Sequence, residues 1–490
     1  MQTCNISSLE PYIPSPQQPW NEQRVAHLYR RLTYGENANT LNDALEQNPQ
    51  SLVTEIIDNA QNTTPTPAPS WGYKYRSDYQ NEGKDFEDEN NKNRIEWFRQ
   101  TVKDQHASGL HGMMTSFWHN HFVTQISQYN ISSYMFQYYN VLQRFAMGNF
   151  KTFVHEIGLT YAMLRYLNGF QNRKNRPNEN YARELYELFS LGENNGYTQN
   201  DITETAKALT GYNKGRYGEK IEFDAQFFND SEKTIFGQTG NWNYDDVIDI
   251  LFRERKDQIA KFIVTKLYAY FISPELNSEV INELSGDFAK DFEITPILRK
   301  LFASKHFFDD KAIGTLIKSP YDLAINFWKT IDYTLTDDRI LNIYWQTLNQ
   351  GQQFFNPVDV AGWQGDYKWI NTSTITTRWT HTGYLVWFGI GNNVPEEIRS
   401  QNQRKLVDLA VRISGNSTDA DLVTRKVVDT FIPNGLPSDQ DYENAAAVFK
   451  DRYPENYYTD GIWNLQIEGA LHQVRELLFH IIRLPEFQIK

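Results

Sequence analysis

The chain has 490 residues, 40% of them hydrophobic and 22% charged, so it can bury a large core, and disorder is excluded as its default state. A net charge of −13 argues against non-specific binding to nucleic acid or to an anionic membrane, because both need a basic surface. The single cysteine, Cys4, excludes an intrachain disulfide and any Cys-based metal site, which leaves His, Asp and Glu as the metal-ligating residues.

The N-terminus, MQTCNISSLEPYIPSPQQPW, lacks the basic start and apolar stretch of an export signal, and no run approaches the roughly eighteen apolar residues of a spanning helix. The expectation is a cytoplasmic protein, or an exported one already processed, with no membrane span. Glu22 to Leu32 reads as a helix ending near Gly35, and Asn37 to Ala60 as one or two more. Pro65, Pro67 and Pro69 make an extended connector, and the charged stretch Asp78 to Asn93 reads as a solvated loop or helix start. From Asn93 to Tyr166 the periodicity is helical. Met113, Met114, Phe117, Trp118, His121 and Phe122 form one amphipathic band, and Phe136, Tyr139, Leu142 and Phe145 another.

Within the first band, FWHNHF carries an H-x-H pair. On a helix the two imidazoles diverge by about 200°, so His119 and His121 are not adjacent ligands, but one of them could meet a carboxylate from the Glu179 helix. Imidazole with carboxylates suits a divalent metal, Zn, Mn or Fe, which is the candidate cofactor.

Pro177 to Gly211 is the densest stretch for chemistry. Asn178 caps a helix whose residues Tyr181, Ala182, Leu185, Leu188 and Phe189 share one side, with Gly192 placed to end it. Opposite lie Glu179, Arg183 and Glu187 at i, i+4, i+8, so that one guanidinium can bridge two carboxylates, with Glu184 on the flank. Exposed, this is a salt-bridge ladder of about 0.3–0.5 kcal/mol per pair. Covered on both faces, it is a set of metal ligands or an acid and base held by Arg183. A second helix follows, with capping-box spacing at Thr198 and Asp201, a stripe of Ile202, Ala206 and Leu209, and a stop at Gly211.

Between Gly211 and Gly240 the alternation in EKIEFDAQFF and a turn at Asn229 and Asp230 predict a small hairpin. Helices are expected at Tyr244 to Leu251, Asp257 to Phe271, Ser278 to Phe292, Thr295 to Ala303 and Pro320 to Ile331. A Trp-rich loop, Gly351 to Trp379, gathers Trp363, Trp369, Trp379, Tyr367, Asp359, Asp366, Asn371 and Arg378. Flat rings beside amides and charges suit a sugar ring, though Trp363 and Trp369 could equally plug the loop onto the helices. Helical segments return from Thr382. No P-loop, no G-x-S-x-G and no complete H-E-x-x-H occurs, which argues against a phosphate-cradling nucleotide enzyme or a serine hydrolase. The expected fold is mainly α, a large bundle-like helical unit with a small β-hairpin and a long Trp-rich loop.

HLYRRLTYG (27–35), FWHNHFV (117–123), RPNENYARELYELFSLG (176–192), YTQNDITETAKALTGY (197–212), IKSPYDLAI (317–325), GQQFFNPVDVAGWQGDYKWIN from 351 and LLFHIIRLPEFQ (477–488) together resemble the bacterial family catalogued as domain of unknown function eighteen hundred, common in Bacteroidetes. The resemblance implies one family unit over 1–490: N-terminal helices and connector (1–70), a motif-bearing core with the β insertion (71–380), and C-terminal helices (381–490). It maps the family motif onto His119, His121, Asn178, Glu179, Asn180, Arg183, Glu184, Glu187, Gly362 and Trp363. Members are often encoded beside an exported family similar to sulfatases and alkaline phosphatases, which implies a partner of that kind. This chain has Phe228-Asn229-Asp230 where many members carry a His-Asp pair, and Lys256-Asp257 where they tend to have His-Pro.

Two functions are expected. One is a hydrolase-like enzyme on a glycan or modified glycan: Glu184, Glu187, Arg183 and Glu179 are the catalytic set, His119 or His121 assist or hold metal, and Trp363, Trp369, Asn371, Arg378 and Asn180 bind substrate. The other is a binding or assembly protein in which the Glu/Arg cluster is a structural polar core and the Trp loop an interface.

Overall fold

The structure is a computed structural model that describes residues 8–215 and 217–490; Cys4 lies outside the described residues. Among those residues are twenty-four α-helices and one two-stranded sheet, so the protein is mainly α with a small hairpin. No helix among them is long and apolar enough to cross a membrane.

The first helix, Glu22–Thr33, starts where Asn21 accepts the Arg24 N–H and buries Val25, Leu28 and Leu32. It also buries three arginines, which is tolerable because their guanidinium groups are hydrogen-bonded. Arg24 donates to Pro19 and Phe308 carbonyls, Arg30 to the Thr430 carbonyl, and Arg31 to the Ala312 carbonyl and Thr315 Oγ1. Segments far apart in the chain are thereby fastened to one helix.

Gly109–His121 lies at the centre, with Glu22–Thr33, Pro49–Asn62, Phe86–Ala107 and Ser132–Phe145 against it. The expected amphipathic band is instead a helix covered all round: only Gly109 and Asn120 are not fully buried. Trp118 sits among Phe117, Phe122, Phe150 and Phe153, and its indole N–H donates to the Ala146 carbonyl at 2.9 Å, so burial leaves no orphan donor.

At Asp78 to Asn93 the structure takes the helix-start alternative: Arg76–Asn81 is a short helix, and Phe86 opens a 22-residue helix capped by Asp85. It corrects the chain-order reading at three places. The hairpin pairs Lys233–Ile235 with Gln238–Gly240 and turns through the positive-φ pair Phe236 and Gly237, downstream of Asn229 and Asp230. EKIEFDAQFF makes only a bridge, Lys214 with Glu222, and the 3₁₀ turn Ala225–Phe227. Asp337–Asn349 is a helix that was not expected, although Ile340, Ile343, Tyr344 and Thr347 mark its buried stripe. Finally, the Trp-rich loop stops at Asn371, which caps the helix Thr372–Phe388.

Candidate functional site

The acidic helix is regular only over Asn180–Glu187, shorter than its periodicity suggests, because the chain folds into a turn in which Leu191 N–H reaches the Tyr186 carbonyl. Asn178 receives the Asn180 N–H, and Gly192 leaves the turn at φ +92°. Tyr181, Ala182, Leu185 and Tyr186 face the core. On the outer side Arg183 bridges both neighbours, Nη2 to Glu179 Oε2 at 3.1 Å and Nη1 to Glu187 Oε1 at 3.2 Å. The ladder continues into the next helix, Gln199–Ala208: Gln199 and Thr203 both donate to Glu179, and Arg183 donates to Gln199. Burial raises the Glu179 carboxyl, but the bonds from Thr203, Gln199 and Arg183 outweigh it and hold the group below its usual range. All three ladder side chains keep between a quarter and about a third of their surface open, and none lines a cavity described below.

Glu184 is placed differently. It takes no part in the ladder, and burial, then the neighbouring charge of Glu187, push its carboxyl up to about 7 against a smaller opposing effect from Arg183. Tyr166, raised to about 12 chiefly by burial, feels both Asp359 and Glu184.

The H-x-H segment works as a clamp on three distant stretches. His119 is fully buried; its Nε2 accepts the Phe355 N–H at 2.8 Å, which puts the proton on Nδ1, and its ring stacks on Trp363 with centroids 5.5 Å apart. Burial drives its pKa down to about 3, so it is neutral. His121 faces elsewhere: Nε2 donates to the Phe189 carbonyl at 3.0 Å, and Nδ1 receives the Lys266 ammonium at 3.2 Å. Burial, reinforced by the Lys266 charge, pushes it well below the usual histidine range. Between them Asn120 grips the backbone of Trp363 at two points, accepting its N–H at 2.6 Å and donating to its carbonyl at 2.9 Å. The H-x-H spacing draws attention to the two histidines and away from this asparagine, which is one of several polar side chains in the helix and carries no signal of its own. Among the described residues no group of three or more His, Cys, Asp or Glu is arranged to hold a metal ion.

Beside the clamp lies a cavity of about 370 Å³, within the range of small-molecule sites. His121 and Asn120 line it from the central helix, Lys266 and Tyr270 from Lys256–Phe271, Asp322 from Pro320–Ile331, and Trp363 and Trp369 from the loop, with Lys490 closing the set. Both indoles are largely buried, so the loop is plugged onto the helices and gives the cavity only a small part of each ring. Gly362 permits the seat: φ is +81°, and a Cβ there would overlap the carbonyl and side-chain oxygens of Asn120.

The remaining candidates separate from this cavity. Asn371 spends its side chain capping Ser373 and Thr374 N–H groups. Arg378 is buried in a helix and donates to Gln488 Oε1 and the Lys318 carbonyl. Asn180 is exposed at the start of the acidic helix. His121, Trp363 and Trp369 thus meet at one cavity, while Glu179, Arg183 and Glu187 form a surface ladder behind it, joined to it through the Phe189 and Leu188 carbonyls that His121 and Lys266 reach.

Fold and site define a mainly α-helical protein whose central helix locks an aromatic loop over a charged cavity. The chain belongs to the family described as Protein of unknown function (DUF1800), whose profile matches residues 27–489. No curated protein and no solved structure matched the chain.

Proposed function

We propose that the protein is an acid–base enzyme of hydrolase-like type acting on a glycan or a modified glycan, with Glu184 as proton donor and the cavity at Trp363 as the substrate's anchorage. The observation that carries this reading is the raised carboxyl of Glu184, held near 7 by burial and by the charge of Glu187 one turn away, which is itself ion-paired to Arg183. A carboxyl raised toward neutrality is suited to act as a general acid. Glu184 is joined to the cavity through the chain: its carbonyl accepts the Leu188 and Phe189 N–H groups, and the carbonyls of those two residues are held by Lys266 and His121 on the cavity wall.

A donor with this pKa is protonated below about pH 7 and loses its proton above it, so activity falls on the alkaline side of pH 7. The test is release of reducing ends from a panel of neutral, sulfated and uronate polysaccharides across pH 5–9. Glu184→Gln is expected to lower kcat about 10²–10⁴-fold and to abolish the limb near pH 7. Wild-type kcat in that variant sinks the assignment.

The second reading, a binding or assembly protein, is favoured by the pairing of Arg183 with both Glu179 and Glu187 away from the cavity wall, and by an exposed apolar edge. Val358 is 71% and Tyr367 77% exposed on the aromatic loop, an apolar edge that an exported sulfatase- or phosphatase-like partner could cover.

A further inference from the structure

Two cations, Lys266 and Lys490, and two carboxylates, Asp322 and Asp366, line the cavity, but further buried cations share the charge of Asp322. Asp322 is buried, and four buried cations act on it: Arg31, Lys318, Arg378 and Lys490. Only Lys490 is in contact, with Nζ 2.5 Å from Asp322 Oδ1. The others spend their donors on neutral groups: Lys318 on the Phe487 carbonyl, Arg31 on carbonyls and Thr315, and Arg378 on Gln488 and a carbonyl. Arg31 Nε and Arg378 Nη1 have no partner. Across the cavity Lys266 forms no ion pair among the described residues; its ammonium meets neutral His121 at 3.2 Å, the Leu188 carbonyl at 3.5 Å and the Phe262 ring. The other carboxylate on the lining, Asp366, is half-buried and turned toward the Ile317 N–H.

Removing a cation from water without a counter-charge is costly, and the cost falls when a ligand supplies the missing charge. We infer that this cavity binds an oxyanion, a carboxylate, phosphate or sulfate carried on a polar molecule, with Lys266 as its direct ammonium partner and Asn120, Gln352 and Tyr270 on the same lining. Strongly hydrated ammonium groups act as point charges toward such oxygens. The volume exceeds that of a free oxyanion, so the anion is one substituent of a larger ligand. This holds whether the protein is an enzyme or a binding protein, because it concerns occupancy and not turnover.

The test is isothermal titration of the full chain with sodium sulfate, sodium phosphate and sodium glucuronate at fixed ionic strength, each against sodium chloride. The expected result is saturable one-site binding of at least one oxyanion, at least tenfold weaker in Lys266→Met and unchanged in Lys256→Met, an exposed control. Lys266→Arg keeps the charge and is expected to stay within about threefold of wild type; Lys266→Gln replaces the Met variant should that one not fold. Sulfate or phosphate binding without glucuronate assigns a tetrahedral ligand, and the converse assigns a carboxylate. No saturable binding by wild type, equal affinity in both Lys266→Met and wild type, or equal loss in Lys256→Met overturns the inference.

Discussion

Replacing Asp322 with asparagine is expected to destabilise the fold by about 3–5 kcal/mol, the range for breaking a buried ion pair by removing one partner. The substitution is nearly isosteric. The amide can still accept the Ser319 N–H that the carboxylate takes at 2.9 Å, so the helix cap at Ser319 survives and the loss isolates charge. Lys490 then lies 5% exposed with no carboxylate, and Arg31, Lys318 and Arg378 lose the one negative charge that acts on all of them. Urea denaturation is the measurement. Asp322→Asn combined with Lys490→Met should recover part of the loss, because the double variant no longer buries that ammonium unpaired; a double-mutant cycle gives the coupling. A single-variant cost under about 1 kcal/mol would show that the four cations are stabilised without Asp322.

Gly362→Ala is expected to cost about 2–5 kcal/mol and to unseat the aromatic loop. Two penalties add: a side chain at φ +81°, about 1–2 kcal/mol, and overpacking against Asn120, about 1–3 kcal/mol. Truncating Asn120 to alanine does not rescue the variant, since the Asn120 backbone carbonyl stands in the way as well. It also leaves the Trp363 N–H and carbonyl without the partners that hold them. Limited proteolysis reads the effect, with cleavage appearing between 351 and 371 in Gly362→Ala under conditions where wild type is intact. Wild-type resistance and wild-type stability together would mean that the loop is held by its indoles alone.

Local chemistry in the sequence was the most legible part. Thr198 and Asp201 are three residues apart, and their capping box stands where the spacing puts it. Glu179, Arg183 and Glu187 likewise lie within two turns, so their mutual pairing is dictated by helical period. The cavity could not be read this way. Asp322 and Lys490 are 168 residues apart, and Asn120 meets Trp363 across 243, and no periodicity carries such distances. The hairpin was displaced because alternation in EKIEFDAQFF is a weak signal over few residues, whereas its true turn depends on Phe236 accepting φ +50°. Asn371 with Thr374 was a readable capping box, and the tryptophans on either side drew it into a loop.

The clamp at His119, Asn120 and His121 also sets an order of events during synthesis. Its partners Phe355 and Trp363 lie 236 and 243 residues downstream, which at bacterial and eukaryotic elongation speeds is roughly 10–50 s of translation. For that interval the central helix has been made and the loop that its last turn holds has not. A nascent chain in this state can already cover Trp118 with Phe150 and Phe153, but it leaves His119 and Asn120 without the partners that they hold in the finished fold, so the loop closes on a helix packed long before it.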